Sequence, residues 1–176
     1  VYGLSSEKFN MLKPYIQISE AFRRKQDTLH FIKKAEKDTL AVYKYPEGTL
    51  VDLNEADTTE LKKIPGIGSG IARMIVAYRK RLGGFYDMAQ LKEVNYVDED
   101  MLRWFKLGNA PIHRINANKA GLDKLRSHPY MNFYQAKVII EYRRKKGKLK
   151  SLSQLSLYEE FTEKDLERLS HYLAFD

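Results

Sequence analysis

Residues 62–81 read KKIPGIGSGIARMIVAYRKR and gather residue types that could hold a negatively charged ligand. Gly66 and Gly68 flank Ile67, Pro65 stands before them, and Gly70 follows Ser69. Proline pre-sets φ in a turn, whereas glycine tolerates positive φ and lets other groups come close to the backbone. Ser69 is positioned to cap a helix starting near Gly70. Free N–H groups at such a helix start point outward, beside the positive end of the helix dipole, and phosphate is their natural ligand. Acidic side chains would repel it. None occurs from Leu61 to Tyr86, where six basic residues do: Lys62, Lys63, Arg73, Arg79, Lys80 and Arg81.

The rest of the chain offers no competing reactive centre. Cysteine is absent, which excludes thiolate metal sites and disulfides but leaves the redox compartment open. His30, His113, His128 and His171 lack metal-ligand spacing. Lysine and arginine number 31 against 23 acids, a net charge of +8, and an excess of this kind fits nucleic acid, an anionic membrane or a solvated surface. Its distribution is uneven. The window 61–86 holds +6 and the window 113–150 holds +9, while the remainder sums to −7. Two basic patches on a mildly acidic body form the footprint of a polyanion binder. No apolar run approaches the ~20 residues of a membrane span. The chain opens VYGLSSEKF without an initiator Met and reads as a fragment, its native N-terminus and any anchor lying outside it.

The elements that must position the glycines come from a repeat. PGIGSGIARMIVAYRKRLGGF and PYMNFYQAKVIIEYRRKKGKL align at an offset of 64, matching Ala72 to Ala136, Ile75 to Ile139, Tyr78 to Tyr142, Arg79 to Arg143 and Gly83 to Gly147. Upstream, VDLNEAD has a counterpart in HRINANKAG, and the opening residues resemble the ends of both units. Each unit reads as helical. Leu61 and Ile64 precede the glycines at helical spacing, and Ala72, Ile75, Val76 and Arg79 follow it. Asp57 with Glu60 forms a capping-box pattern, and Gly83 with Gly84 stops the second helix.

These residues resemble a known family. Leu61, Ile64, Gly66, Ile67, Gly68, Ala72 and Ile75 fill every position of the helix-hairpin-helix pattern, and the frame from VDLNEAD to DMAQL is similar to the DNA-binding module of ComEA-type competence proteins. The resemblance implies an all-α fold of tandem repeats, each of about 64 residues and two stacked hairpins. It also implies that the backbone of Gly66, Ile67, Gly68 and Gly70 holds duplex DNA by its phosphates without reading bases. A monovalent cation at the backbone of Ile64 and Ile67 is implied as the one cofactor. A bacterial, periplasmic or membrane-anchored location follows if the ComEA likeness is complete, and a cytoplasmic one otherwise.

The same template fits Leu91, Val94, residues 96–98, Leu102 and Phe105, and again Leu155, Tyr158, residues 160–162, Leu166 and Leu169, with the glycines replaced. Acids crowd both of these second hairpins, which therefore read as structural. In the last unit Tyr130 and Asn132 stand where the glycines belong. A left-handed Asn132 is allowed there, and auxiliary contact with DNA is expected from Asn132, Lys137, Arg143, Arg144, Lys145 and Lys146. Tyr130, Phe133 and Tyr134 either pack or stack on bases. The domain reading is thus a repeat tail over 1–18, a linker over 19–49 that includes the basic run at residues 23–25, an intact repeat over 50–110 and a degenerate one over 111–176.

The expected function is sequence-independent binding of double-stranded DNA, in uptake or other handling, without catalysis. DNA contacts are assigned to Lys62, Lys63, Pro65, Gly66, Ile67, Gly68, Ser69, Gly70, Arg73, Lys80 and Arg81. The alternatives are a scaffold whose hairpins bind a protein partner and a non-catalytic fragment of a DNA-repair enzyme. For the latter, Asp87 lies nineteen residues beyond Gly68, where a glycosylase would hold its catalytic Asp, but no partner lysine or metal-ligand cluster accompanies it.

Overall fold

The computed structural model describes residues 6–15 and 43–176. The chain divides into two compact units, Val1–Val42 and Tyr43–Asp176. In the first, helix α1 (Ser6–Leu12) runs into a 3-10 turn at Lys13–Tyr15. The rest of that tail, the basic run at residues 23–25 and most of the expected linker lie outside the described residues.

The second unit holds both repeats. The first consists of β1 (Val51–Asp52), α2 (Thr58–Leu61), α3 (Ser69–Leu82), a 3-10 turn at Met88–Glu93, α4 (Glu99–Leu102) and β2 (Phe105–Lys106). The second follows the same order with β3 (Ile115–Asn116), α5 (Leu122–Arg126), α6 (Phe133–Lys146), a 3-10 turn at Leu152–Gln154, α7 (Glu163–Ser170) and β4 (Leu173–Ala174). The fold is mostly helical, but not purely so. β1 pairs in parallel with β2 (Val51 opposite Phe105), and β3 with β4 (Ile115 opposite Leu173), so each repeat is closed by joining its beginning to its end. Among the described residues no helix is long and apolar enough to cross a membrane.

The hydrophobic positions of the hairpin pattern are the core. Leu61, Ile64, Ala72 and Ile75 are fully buried and Ile67 nearly so, and Leu125, Ala136 and Ile139 repeat this in the second unit. Burial of such aliphatic side chains contributes about 1.5–3 kcal/mol each. α2 starts in the expected capping box of Asp57 and Glu60, and α3 ends at Gly83, whose φ of 91° is left-handed. A second polar device recurs in both repeats. Asp52 and Asn116 accept the N–H of the residue two places on, and Asn54 and Asn118 each clamp a distant backbone, Phe85 and Leu149, through both N–H and C=O.

The two repeats dock through the last turn of α3. Its end leaves carbonyls without intrahelical partners. Leu82 O accepts His128 Nε2 at 3.0 Å, Gly83 O accepts the His113 N–H at 2.8 Å, and Gly84 O accepts the Tyr172 hydroxyl at 2.9 Å. Each donor comes from the second repeat or from its lead-in. A side chain at Gly83 would put its Cβ 2.4 Å from His113 O, so this glycine is required by close approach as well as by its φ. Tyr172 is wholly buried in the core of the first repeat, and Tyr86 stacks on His171 with centroids 3.8 Å apart.

Candidate nucleic-acid interface

The hairpin between α2 and α3 is built around one buried anchor. Ile67 is 1% exposed and its N–H donates to Ile64 O at 3.2 Å, which forces the chain to reverse over Pro65 and Gly66. Gly66 takes φ +83°, and a Cβ there would lie 3.1 Å from Met101 Cε, so this glycine serves the turn. Gly68 serves a different end. Its φ and ψ of −95° and 178° are extended, not left-handed, and it is the N-cap of α3. Ser69, expected as the cap, is instead the first helical residue. The helix begins one position earlier because the extended Gly68 already supplies the cap geometry.

An N-cap glycine has no side chain to receive the first amide groups of its helix. The first intrahelical bond runs from Ala72 N to Gly68 O, so the N–H groups of Gly68, Ser69, Gly70 and Ile71 precede the ladder. A Cβ at Gly68 or Gly70 would meet nothing within 4 Å, so this backbone lies open to an approaching group. Arg73 projects from the same turn and reaches back to Ser69 O with Nε at 3.2 Å. No acid stands in the first turn of α3. The other hairpin helices differ. Asp98, Asn132 and Thr162 each accept a backbone N–H in the first turn of α4, α6 and α7, filling with protein oxygen the place that Gly68 leaves free.

The basic residues fall into separate groups. Lys62 and Lys63 are half-buried beside the hairpin, where Lys63 also lies over the Tyr45 ring at 5.5 Å. Asp57 is held below the usual carboxylate range first by the Glu60 N–H, with Thr59 N–H, Lys63 and Lys62 adding to it. Lys80 and Arg81 are exposed at the opposite end of α3, about 15–17 Å from Gly70 along the helix axis, too far to reach a group held at the hairpin. Lys80 borders a 430 Å³ cavity with Asn54, Arg79, Gly83, Gly84 and His113. Arg79 is committed to the fold: its Nη1 donates to Leu53 O at 2.8 Å.

The degenerate hairpin is occupied from within. Asn132 is extended (φ −86°, ψ 174°) and not left-handed, because its side chain caps α6 by accepting Gln135 N. Tyr130 packs against the first repeat. Its hydroxyl donates to Glu93 at 2.8 Å and accepts Gln90 Nε2 at 2.8 Å, beneath the Arg168 guanidinium 4.7 Å from the ring. Burial, helped by Glu93, pushes its phenol up to about 12. Phe133 and Tyr134 remain largely exposed, edge to face with one another. Of the auxiliary residues, Arg143 donates to Ala120 O, Lys137 and Lys145 flank Glu141 at 3.8 and 3.6 Å, and Lys146 lies over Tyr142 and Tyr158. Arg144 is exposed and borders a 420 Å³ cavity with Lys148 and Gly147.

Residues 44 and 45 fall within the expected linker, yet both serve the hairpin. The Tyr45 N–H donates to Lys63 O at 2.8 Å, and Lys44 Nζ lies on the carbonyls of Lys62, Ile64 and Ile67. The polar run around YPEG carries no periodicity that would have drawn them into the repeat. Asp87, weighed above as a glycosylase-like position, caps the 3-10 turn by accepting Ala89 N–H at 2.7 Å.

Comparison with known proteins agrees with this geometry. The chain matches the helix-hairpin-helix motif family twice, over residues 47–104 and 111–174, which is more than half of its length, and it belongs to that family. The motif is one associated with nucleic-acid binding. The chain is 27% identical over 154 residues to the mouse and rat proteins named endonuclease/exonuclease/phosphatase family domain-containing protein 1, covering 69% of this chain. The frog protein of that name (Xenopus laevis) is 25% identical over 146 residues, again covering 69% of this chain. The chain spans about a quarter of the length of these relatives, 26–27%. No solved structure matches it.

Proposed function

We propose that this region binds double-stranded DNA without regard to sequence, holding a backbone phosphate on the amide groups at the start of α3. The observation that carries this reading is the contrast among the four hairpins of residues 43–176: three cap their helix with a side chain, and the one with the intact glycine pattern does not. Phosphate contact positions a duplex but carries no base information. Lys62, Lys63 and Arg73 add charge at the hairpin, and Lys80, Arg81 and Arg144 extend the reach to further phosphates. The region binds and does not cut. The printed name of the relatives suggests that such a module accompanies a domain that acts on phosphodiester or phosphate groups, and in that setting it would hold DNA for chemistry done elsewhere. Uptake of DNA is the narrower role that the ComEA likeness supports.

The test is an anisotropy titration of two unrelated duplexes of equal length over a range of salt. The two affinities should agree closely, and log K should fall with log salt by about 0.9 per phosphate contacted. Charge reversal at Lys80 and Arg81 should flatten that slope without abolishing binding. A slope near zero in the unaltered protein would favour the scaffold reading, and a thousandfold preference for one duplex would refute indifference to sequence.

A further inference from the structure

The carbonyls of Lys62, Ile64 and Ile67 converge on one point behind the hairpin. Lys44 Nζ stands there, 2.6, 3.1 and 3.4 Å from the three oxygens. A ring of backbone carbonyls is the kind of oxygen cage that replaces the hydration shell of an alkali ion. It is also where the family resemblance implies a monovalent cation. An alkali ion does not fit while the amine is present, since two unit positive charges would share one set of oxygens. An ammonium group has three N–H donors for three acceptors, and as a compact point charge on a flexible stem it resembles a tethered monovalent ion.

We propose that Lys44 is the hairpin's own cation: it fills this cage in place of a diffusible ion, and removing its amine opens a latent alkali-ion site. The amine comes from 18 positions before Lys62, and the adjacent Tyr45 N–H takes Lys63 O, so residues 44 and 45 together satisfy carbonyls on consecutive residues of the hairpin. The cage lies on the strand of the turn that leads into Gly68. Filling it fixes the turn that presents the open amides, whichever salt is present. This rests on the hairpin being the DNA site only for its effect on DNA; the cage itself is read from the protein alone.

The experiment compares the parent with Lys44→Met, which keeps the apolar stem and loses the charge, in potassium, sodium and tetramethylammonium chloride at equal ionic strength. The parent should melt at the same temperature in all three. Lys44→Met should melt higher in potassium or sodium than in tetramethylammonium, which is too large for the cage, and binding of thallous ion should appear by ²⁰⁵Tl NMR only in the variant. Duplex affinity of the variant should fall by about tenfold when tetramethylammonium replaces potassium, while the parent stays constant. A parent that itself binds thallous ion, or whose melting depends on which alkali ion is present, would overturn the proposal. So would a Lys44→Met protein indifferent to the cation. If melting and thallous-ion binding behave as stated and duplex affinity does not, the cage stands and the assignment of the DNA site fails.

Discussion

Replacing Gly68 by aspartate should make the protein more stable and a worse DNA binder. Its backbone, at φ −95° and ψ 178°, already has the conformation in which Asp98 (φ −103°, ψ 172°) caps α4, and a Cβ at Gly68 meets nothing within 4 Å. Exchange of an N-cap glycine for aspartate is worth a few tenths of a kcal/mol, and a negative charge at a helix start adds about 0.3–1 kcal/mol. A gain of roughly 0.5–1 kcal/mol should raise the melting temperature by about 2–5 °C. The new carboxylate takes the same N–H groups that the phosphate needs. Hydrogen bonds to charged groups contribute about 1.5–3 kcal/mol each, so loss of one alone weakens binding by about 10- to 150-fold. Calorimetry and duplex anisotropy on the same preparation measure both effects. A Gly68→Asp protein that melts higher and binds as tightly as the parent would refute the phosphate site, and one that melts lower would refute the capping geometry.

Gly66→Ala should cost about 1–2 kcal/mol in urea denaturation, since the residue sits at φ +83° with Met101 Cε 3.1 Å from the new Cβ. Asn132→Ala should cost about 1 kcal/mol by loss of its cap on α6 and leave duplex affinity unchanged, which an anisotropy titration checks. His128 is buried between the repeats, and burial lowers its pKa from 6.5 to about 4. The unfolded chain therefore takes up a proton that the folded one refuses. Stability should fall as pH drops from about 6.5 to about 4, by roughly 3 kcal/mol in total. His128→Gln, which keeps a donor for Leu82 O, should remove that part of the pH dependence in paired urea titrations.

The residues whose role is local were legible in advance. Leu61, Ile64, Ala72 and Ile75 declared themselves by helical spacing and are the core, and the 64-residue offset recovered both repeats because each is built from its own contiguous chain. Cap identity was less secure. Ser69 and Gly68 are both plausible N-caps by residue type, and a one-position difference in where the helix begins decides which of them leaves its amides free. Asn132 is compatible with a left-handed turn or a cap, and Gln135 three residues on completes the capping box that settles it. What stayed hidden is non-local. The carbonyls at the end of α3 are satisfied by His113, His128 and Tyr172, and the hairpin's carbonyls by Lys44, contacts that no periodicity marks. The D-x-N and N-x-N pairs at residues 52–54 and 116–118 did carry a signal, because they repeat at the same offset.

The most direct test of the account follows the backbone amides of the hairpin by ¹H–¹⁵N NMR while each of two unrelated duplexes is added in turn. The amide signals of Gly68, Ser69, Gly70 and Ile71 should move first and furthest, in the same direction with both duplexes, while those at the start of α6 stay still. Unmoved signals at these four amides, with DNA bound at an affinity that the titration can see, would contradict it.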